Sequence, residues 1–175
     1  ISEGITMASN PYTRTTLEGH TVGGNVFYAT IKLSVNASQT SYYSLSIPEG
    51  VKDVCVFMSR DMVTSSAGAW LISHYPNAVV TTTGTPVTVL NANPNSTKQT
   101  KLQISPVTVS VAGSPVDEVY LPASSRRIGG NYPQGSIRIQ SEGTLVVGAK
   151  SITPSGLADL YITYTWIQIP NIHDL

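Results

Sequence analysis

The sequence predicts an all-β protein built as a sandwich of two antiparallel sheets. Short runs in which apolar and polar residues alternate recur along the 175 residues, and this period of two is typical of half-buried strands. Glycine, proline and asparagine separate the runs, as they do in turns between antiparallel strands. Because the chain shows no internal repeat and no linker, residues 1–175 are predicted to form a single domain.

The closing segment, Leu157–Pro170, carries the clearest strand pattern. Aromatic and β-branched residues dominate it, and the proline at its end stops the strand. The positions predicted to face the core are Leu160, Ile162, Tyr164 and Trp166. Because these residues need a sheet to cover them, the domain is predicted to be complete only when this last strand is in place.

Residues 26–35, 43–47 and 51–58 predict the first strands. The first two runs alternate, whereas residues 51–58 are apolar on both faces, which indicates a central position in a sheet. A Pro-Glu-Gly turn separates the second run from the third.

Residues 78–83 and 86–90 predict one or two strands. Residues 102–111 alternate but change phase at Pro106, which predicts an edge strand or a bulge. Two strands within residues 136–149 bring the total to about eight to ten, a number that suits a two-sheet sandwich.

Helical spacing is confined to residues 62–75, where Leu71 and Tyr75 lie one turn apart. One short helix is therefore predicted there. Residues 112–133 show no period and are predicted to be irregular.

The composition predicts a surface with few charges. Charged residues make up 11 % of the chain, with ten of each sign and a net charge of zero, against about 25 % in average proteins. Uncharged surfaces are less protected from association by mutual repulsion, which suits a protein that packs against copies of itself. A serine- and threonine-rich β-domain without such a role is the other interpretation. The single Cys55 excludes an internal disulfide and, within an apolar run, is predicted to be buried.

No pattern in the sequence indicates catalysis, and the protein is predicted not to be an enzyme. The three histidines have no metal-ligand spacing, and no Gly-x-Ser-x-Gly segment is present. His74, followed by Tyr75 and Pro76, is predicted to be a surface or turn residue. Asp117 and Glu118 are neighbours that would point to opposite faces of an extended segment, so they are predicted to be solvated.

Arg126 and Arg127 form the one adjacent basic pair. Two guanidinium groups can hold an RNA phosphate or a carboxylate of a neighbouring subunit. A solvated loop is the other interpretation, and two arginines alone cannot supply much affinity for RNA.

Two segments resemble the shell domain of small icosahedral positive-strand RNA virus coat proteins, of the tombusvirus and sobemovirus kind. One is residues 156–170, a glycine followed by alternating apolar and aromatic residues and a proline. The other is residues 54–62, an apolar run that leads into Ser-Arg-Asp-Met and is followed by a serine-rich turn, the predicted helix and a further strand. Together they cover about a quarter of the chain.

This resemblance implies an eight-stranded antiparallel jelly roll with one short helix that spans nearly the whole chain. It also implies a capsid protein of the virion that self-assembles into an icosahedral shell around single-stranded RNA. A basic arm before Ile1 is expected to make most of the RNA contacts, since the charges in this sequence balance.

The resemblance also implies calcium between subunits, but the sequence departs from the family here. The family often carries a second aspartate three residues after the first, whereas Asp61 is followed by Met62, Val63 and Thr64. An oxygen-ligand site between Asp61 and Asp174 of a neighbouring chain stays open. The other interpretation is that both carboxylates are solvated.

A carbohydrate- or receptor-binding β-sandwich, either lectin-like or a protruding viral domain, is the alternative function. In that case aromatic side chains would form exposed stacking platforms. The candidates are Tyr42, Tyr43, Trp70 and Tyr132. A fimbrial subunit joined by strand exchange is disfavoured because the chain carries its own closing strand. No apolar run approaches the about 20 residues of a membrane span, so no membrane partner is expected.

Overall fold

In a computed structural model, the described residues are 16–36, 38–64, 68–123, 127–131, 137–140, 143–152 and 157–170. They form one short helix, α1 (Thr16–Val22), and twelve strands in two antiparallel sheets. The predicted all-β sandwich with one short helix is confirmed.

The β12 sheet contains, in spatial order, β10 (Arg138–Ile139), β3 (Asp53–Thr64), β12 (Leu157–Pro170), β1 (Val26–Asn36) and β6 (Leu90–Asn91), with β9 (Arg127–Asn131) also paired to β3. The β11 sheet contains β5 (Val79–Thr83), β7 (Gln103–Val111), β2 (Thr40–Ser46), β11 (Thr144–Ser151), β4 (Trp70–Tyr75) and β8 (Asp117–Leu121).

The strand pairing is nested in the manner of a jelly roll. The first strand pairs with the last, β1 with β12, and the second with the one before it, β2 with β11. Further inside the nest, β3 pairs with β10 and β4 with β8. These four pairs account for eight strands, which agrees with an eight-stranded jelly roll. Of the four remaining strands, β9 pairs with β3, and β5, β6 and β7 form an excursion between β4 and β8.

The closing strand lies at the centre of its sheet, as its apolar pattern requires. β12 pairs with β1 along one side and with β3 along the other. All four positions predicted to face the core are buried. Trp166 packs its ring 6.2 Å from Phe27 and 5.9 Å from Phe57. This aromatic group joins the three central strands of the sheet.

β3 is also internal, as predicted from its two apolar faces, since β12 flanks it on one side and β9 and β10 on the other. The register between β3 and β12 shifts between Thr165 and Trp166. This bulge re-aims the strand, so that Phe57 before the shift and Met62 after it both enter the core.

The phase change at Pro106 does not mark an edge, because β7 pairs with both β2 and β5. The irregularity lies instead in the pairing of β7 with β5, where the register shifts twice.

The helix predicted within residues 62–75 is wrong in position, since β3 continues to Thr64 and residues 70–75 form β4. Leu71 and Tyr75 are four residues apart, and a spacing of four returns a side chain to the same side of a strand as well as of a helix. The alternation of buried Trp70 and Ile72 with half-buried Leu71 is the pattern of a strand. The observed helix is α1.

Residues 112–133, predicted to be irregular, contain the two strands β8 and β9. Both are short and lie at the side of a sheet. Strands of five residues that include charges or glycines give a weak sequence pattern.

Candidate functional site

Asp61, the predicted calcium ligand, lies half-buried in β3 between Thr163 of β12 and Gly129 of β9. Its neighbour Met62 points into the core, so Asp61 is on the outer face of the sheet. A Cβ at Gly129 would stand 3.1 Å from Asp61 Oδ1. The carboxylate therefore lies over the glycine.

Asp174 and Arg126 lie outside the described residues. Arg127 begins β9, where its backbone pairs with Val63 of β3. The calcium site and the arginine pair therefore stay predictions. Within the described ranges, no group of three or more His, Cys, Asp or Glu side chains is placed to hold a metal ion.

His74, predicted to be a surface or turn residue, is wholly buried, so that prediction is wrong. The residue is in β4 and points between the two sheets. Its Nε2 lies 2.8 Å from the hydroxyl of Tyr164 on β12, at hydrogen-bond distance. Its Nδ1 lies 3.4 Å from Asp117 Oδ2 on β8 and makes no hydrogen bond.

Asp117 links this polar group to a second residue of the β12 sheet, Arg60, so it is not simply solvated as predicted. Arg60 of β3 donates from Nη1 to Asp117 Oδ2 at 2.5 Å. Arg60 and Tyr164 belong to the β12 sheet, and Asp117 and His74 to the β11 sheet. The four side chains, here called the inter-sheet network, therefore connect the two layers. Glu118 points the other way and accepts a hydrogen bond from Ser73, as expected for neighbours on a strand.

Two members of the inter-sheet network, His74 and Asp117, have pKa values that differ from their ordinary values. Burial lowers the pKa of His74, because the interior penalises the charged ring. The interactions with His74 and with Arg60 lower the pKa of Asp117 to about 2. At neutral pH, His74 is therefore neutral and Asp117 is ionised.

Cys55 is buried, as predicted. Burial raises the pKa of its thiol to about 12. A thiol that stays protonated is a poor nucleophile, so Cys55 acts as a small core side chain.

Of the aromatic residues considered as stacking platforms, Trp70 is wholly buried and Tyr132 lies outside the described residues. Tyr43 is half-buried and donates its hydroxyl to the backbone oxygen of Lys32. Tyr42 packs its ring 6.4 Å from that of Tyr75. The stacking prediction is wrong for Trp70.

A cleft of about 380 Å³ lies between the excursion and β1. Its apolar lining includes Phe27, Val87, Val89 and Leu102, and Lys98 is the one charged residue that lines it. This cleft therefore offers no pair of ionisable groups for acid–base catalysis.

Nine large apolar side chains are exposed in the described part of the chain. They are divided here into two groups, named after β5 and β8, the strands at the two edges of the β11 sheet. The β5 flank follows the excursion and comprises Val22, Tyr28, Val79, Leu90 and Val111. The β8 flank follows β8 and the adjacent strand ends and comprises Val63, Val116, Tyr120 and Ile152.

The two flanks differ in charge. Residues 75–97 and 102–111, which supply Val79, Leu90 and Val111 of the β5 flank, contain no charged residue. Strand β8, by contrast, carries Asp117 and the exposed Glu118. Sequence reasoning missed these flanks, although the long uncharged segments are visible in the sequence. Only the pairing of strands shows that both segments lie on one side.

No helix in the described ranges is both long enough and apolar enough to cross a bilayer.

No family model and no curated protein sequence matches this chain. Among solved structures, it is similar to the infectious bursal disease virus VP2 subviral particle at 12 % identity, with 85 % of this chain and 42 % of that chain covered and a TM-score of 0.21. Particles derived from infectious bursal virus match at 14 % identity, with 85 % and 40 % covered and a TM-score of 0.21. The chain thus spans less than half the length of these proteins, and TM-scores this low add no argument about function.

Proposed function

We propose that this chain is a viral capsid protein whose jelly-roll domain self-assembles into an icosahedral shell around single-stranded RNA, as the resemblance to tombusvirus and sobemovirus shell domains implies. The observation that carries the proposal is the set of exposed large apolar side chains near the β5 and β8 edges of a sandwich with few charges. Surface apolar residues scattered singly need no explanation, whereas grouped ones mark contact surfaces.

Flanks near the two edges of a sheet suit lateral packing in a closed assembly. A subunit that contacts copies on two sides extends the assembly beyond a dimer, and symmetry closes it when the angle between subunits allows. The near-neutral surface supports the same function, because little charge has to be desolvated or repelled as subunits approach.

The jelly-roll fold is compatible with this function but does not decide it. Capsid and lectin domains both use the fold, and function has to be argued from the site. The burial of Trp70 and the partial burial of Tyr42 and Tyr43 leave a weak case for an aromatic glycan platform. The exposed flanks favour assembly.

The RNA and calcium contacts are the finer parts of the proposal. A basic arm before Ile1 would supply most of the charge that RNA phosphates require, with Arg126 and Arg127 adding to it. Calcium would sit between subunits, with Asp61 of one chain and Asp174 of the next among its oxygen ligands.

Negative-stain electron microscopy of the concentrated, purified chain tests the proposal. We expect closed particles of uniform diameter, or curved fragments of them. Parallel samples with calcium and with a chelator test the calcium contact, since particles that are equally stable in both would remove that part alone. A protein that shows no particles, stays monomeric and binds a defined glycan on an array would contradict capsid function and favour the lectin-like alternative.

A further inference from the structure

We propose that strand β5 pairs with β5 of a second copy of this chain across a two-fold axis. The β11 sheet would then continue from its β5 edge into the neighbouring molecule. The inference rests on the proposed function and specifies one of its contacts. The two β5 strands would run antiparallel to each other.

Strand β5 has an open edge. It is the terminal strand of the β11 sheet, and among the described residues it pairs only with β7. Edge strands are usually guarded by lysine, proline, inward charges or a covering segment. β5 contains two valines and three threonines and none of these guard residues. Its protective features are its length of five residues and its irregular pairing with β7.

The distribution of charge favours a second β5 flank, rather than a β8 flank, as the partner of β5. A charged side chain that is buried at an interface without an opposite charge costs free energy. A β5 flank placed against the β8 flank would bury the exposed Glu118 against residues 75–97 and 102–111, which offer no charge to pair with it. A β5 flank placed against its own copy brings these uncharged residues of both copies together.

The excursion is already held in place by hydrogen bonds to the residues before β1. Asn91 donates to the backbone oxygens of Gly24 and Lys98. Asn93 donates to Val22, and Lys98 Nζ donates to Gly23 and Asn25. Because these bonds fix the segment after β5 to the start of β1, little ordering remains to be done on association. The Nζ of Lys98, the charged residue that follows the uncharged residues 75–97, makes two of these hydrogen bonds.

The geometry sets which residues meet. An antiparallel pair related by a two-fold axis at the middle of Val79–Thr83 places Thr81 opposite its own copy. The same register places Val79 opposite Thr83 of the second copy. Threonine and β-branched cross-strand pairs stabilise antiparallel sheets. Val79 is 51 % exposed, and the pairing would cover it.

Cysteine cross-linking of the assembled 175-residue chain tests this register. The variant Thr81→Cys should form a disulfide-linked dimer under mild oxidation, because identical residues at a two-fold centre lie close together. The native Cys55 is buried and protonated, so it does not compete. Tyr120→Cys on the β8 flank, also exposed, is the matched control and should stay largely uncross-linked. Cross-linking of Tyr120→Cys but not Thr81→Cys would overturn the proposal.

A charge variant provides the second measurement. Val79→Lys should reduce association at least tenfold, because each lysine would lie opposite Thr83 of the other copy, where residues 75–97 offer no opposite charge. Tyr120→Lys, with a similar starting exposure of 55 % against 51 %, should leave the β5 pairing intact. Thermal unfolding of each variant controls for loss of fold. Equal association of the Val79→Lys variant and the unaltered chain would contradict the pairing.

The outcomes separate this inference from the proposed function. Closed particles without a Thr81→Cys cross-link would leave capsid function standing and reject the β5 pairing. A cross-linked dimer that never forms particles would support the pairing and reject the capsid. A chain that stays monomeric at every concentration would reject both.

Discussion

At the scale of single residues, the inter-sheet network is the least expected feature of the molecule. A histidine, an aspartate, an arginine and a tyrosine from four strands meet between two apolar layers. The sequence could not predict this, because His74 is followed by Tyr75 and Pro76 and resembles the start of a turn. Its surroundings are set by strands that lie 43 to 90 positions further along the chain, which no local pattern records.

The first prediction concerns the pH dependence of stability. Burial lowers the pKa of folded His74 below its ordinary value of 6.5, so the unfolded chain binds the proton more readily. The free energy of unfolding should therefore fall as the pH drops below 6.5, by up to about 1.4 kcal/mol per pH unit. Asp117 adds a loss only nearer pH 4 and below, because its pKa falls from 3.8 to about 2 in the fold.

Chemical denaturation between pH 7 and pH 5 measures this effect. The double variant His74→Leu, Tyr164→Phe removes both partners of the hydrogen bond and should show a flatter profile over that range. His20→Gln, outside the network, is the control and should keep the profile of the unaltered protein. An equally steep loss in the double variant would exclude His74 as its source.

The second prediction compares the two tryptophans, both wholly buried. Trp70 donates from Nε1 to Thr64 at 3.3 Å, whereas Trp166 Nε1 is buried without a hydrogen-bond partner. Replacement by phenylalanine removes the same atoms at both positions. Trp70→Phe should therefore cost about 1 kcal/mol more than Trp166→Phe, because only the first loses a hydrogen bond. Urea denaturation of the pair measures the difference, and a larger loss for Trp166→Phe would contradict it.

At the scale of elements, long alternating strands were predictable and short ones were not. β1 and β12 have eleven and fourteen residues with one buried face, so their period is visible without any partner. The segment that forms β4 was predicted to be helical because Leu71 and Tyr75 are four residues apart, a spacing that suits both the helical period of 3.6 and the strand period of 2. β8 and β9 were missed because five residues hold too few repeats of a pattern, and their charges and glycines hide it.

The third prediction concerns the outer face of the β11 sheet. A Cβ at Gly148 would stand 2.8 Å from the ring of Tyr42 and 3.1 Å from the ring of Tyr75. Gly148→Ala should therefore lower the free energy of unfolding by about 1–3 kcal/mol, since both rings must move. Gly19→Ala in α1 meets no atom within 4 Å and should be neutral or stabilising, because alanine favours helices. Thermal unfolding of both variants tests this, and an unchanged Gly148→Ala protein would contradict the packing account.

At the scale of the whole molecule, strand order determines which surfaces are available for contact. The nested pairs enclose the core, while the excursion leaves one uncharged flank and the paired β4 and β8 leave another flank with charges. The low charge of the chain predicts self-association, which stays a prediction, and which side chains would be exposed for it depends on how distant segments pair. The class of fold was therefore predictable from the sequence, whereas the exposed apolar flanks become visible only in the structure.

Sedimentation velocity of the 175-residue chain over a range of concentrations tests the central claim most directly. Self-assembly predicts species much heavier than the 18.6 kDa monomer, with a distribution that changes little between low and high salt, because residues 75–97 and 102–111 carry no charges for salt to screen. A single 18.6 kDa species at every concentration would contradict it.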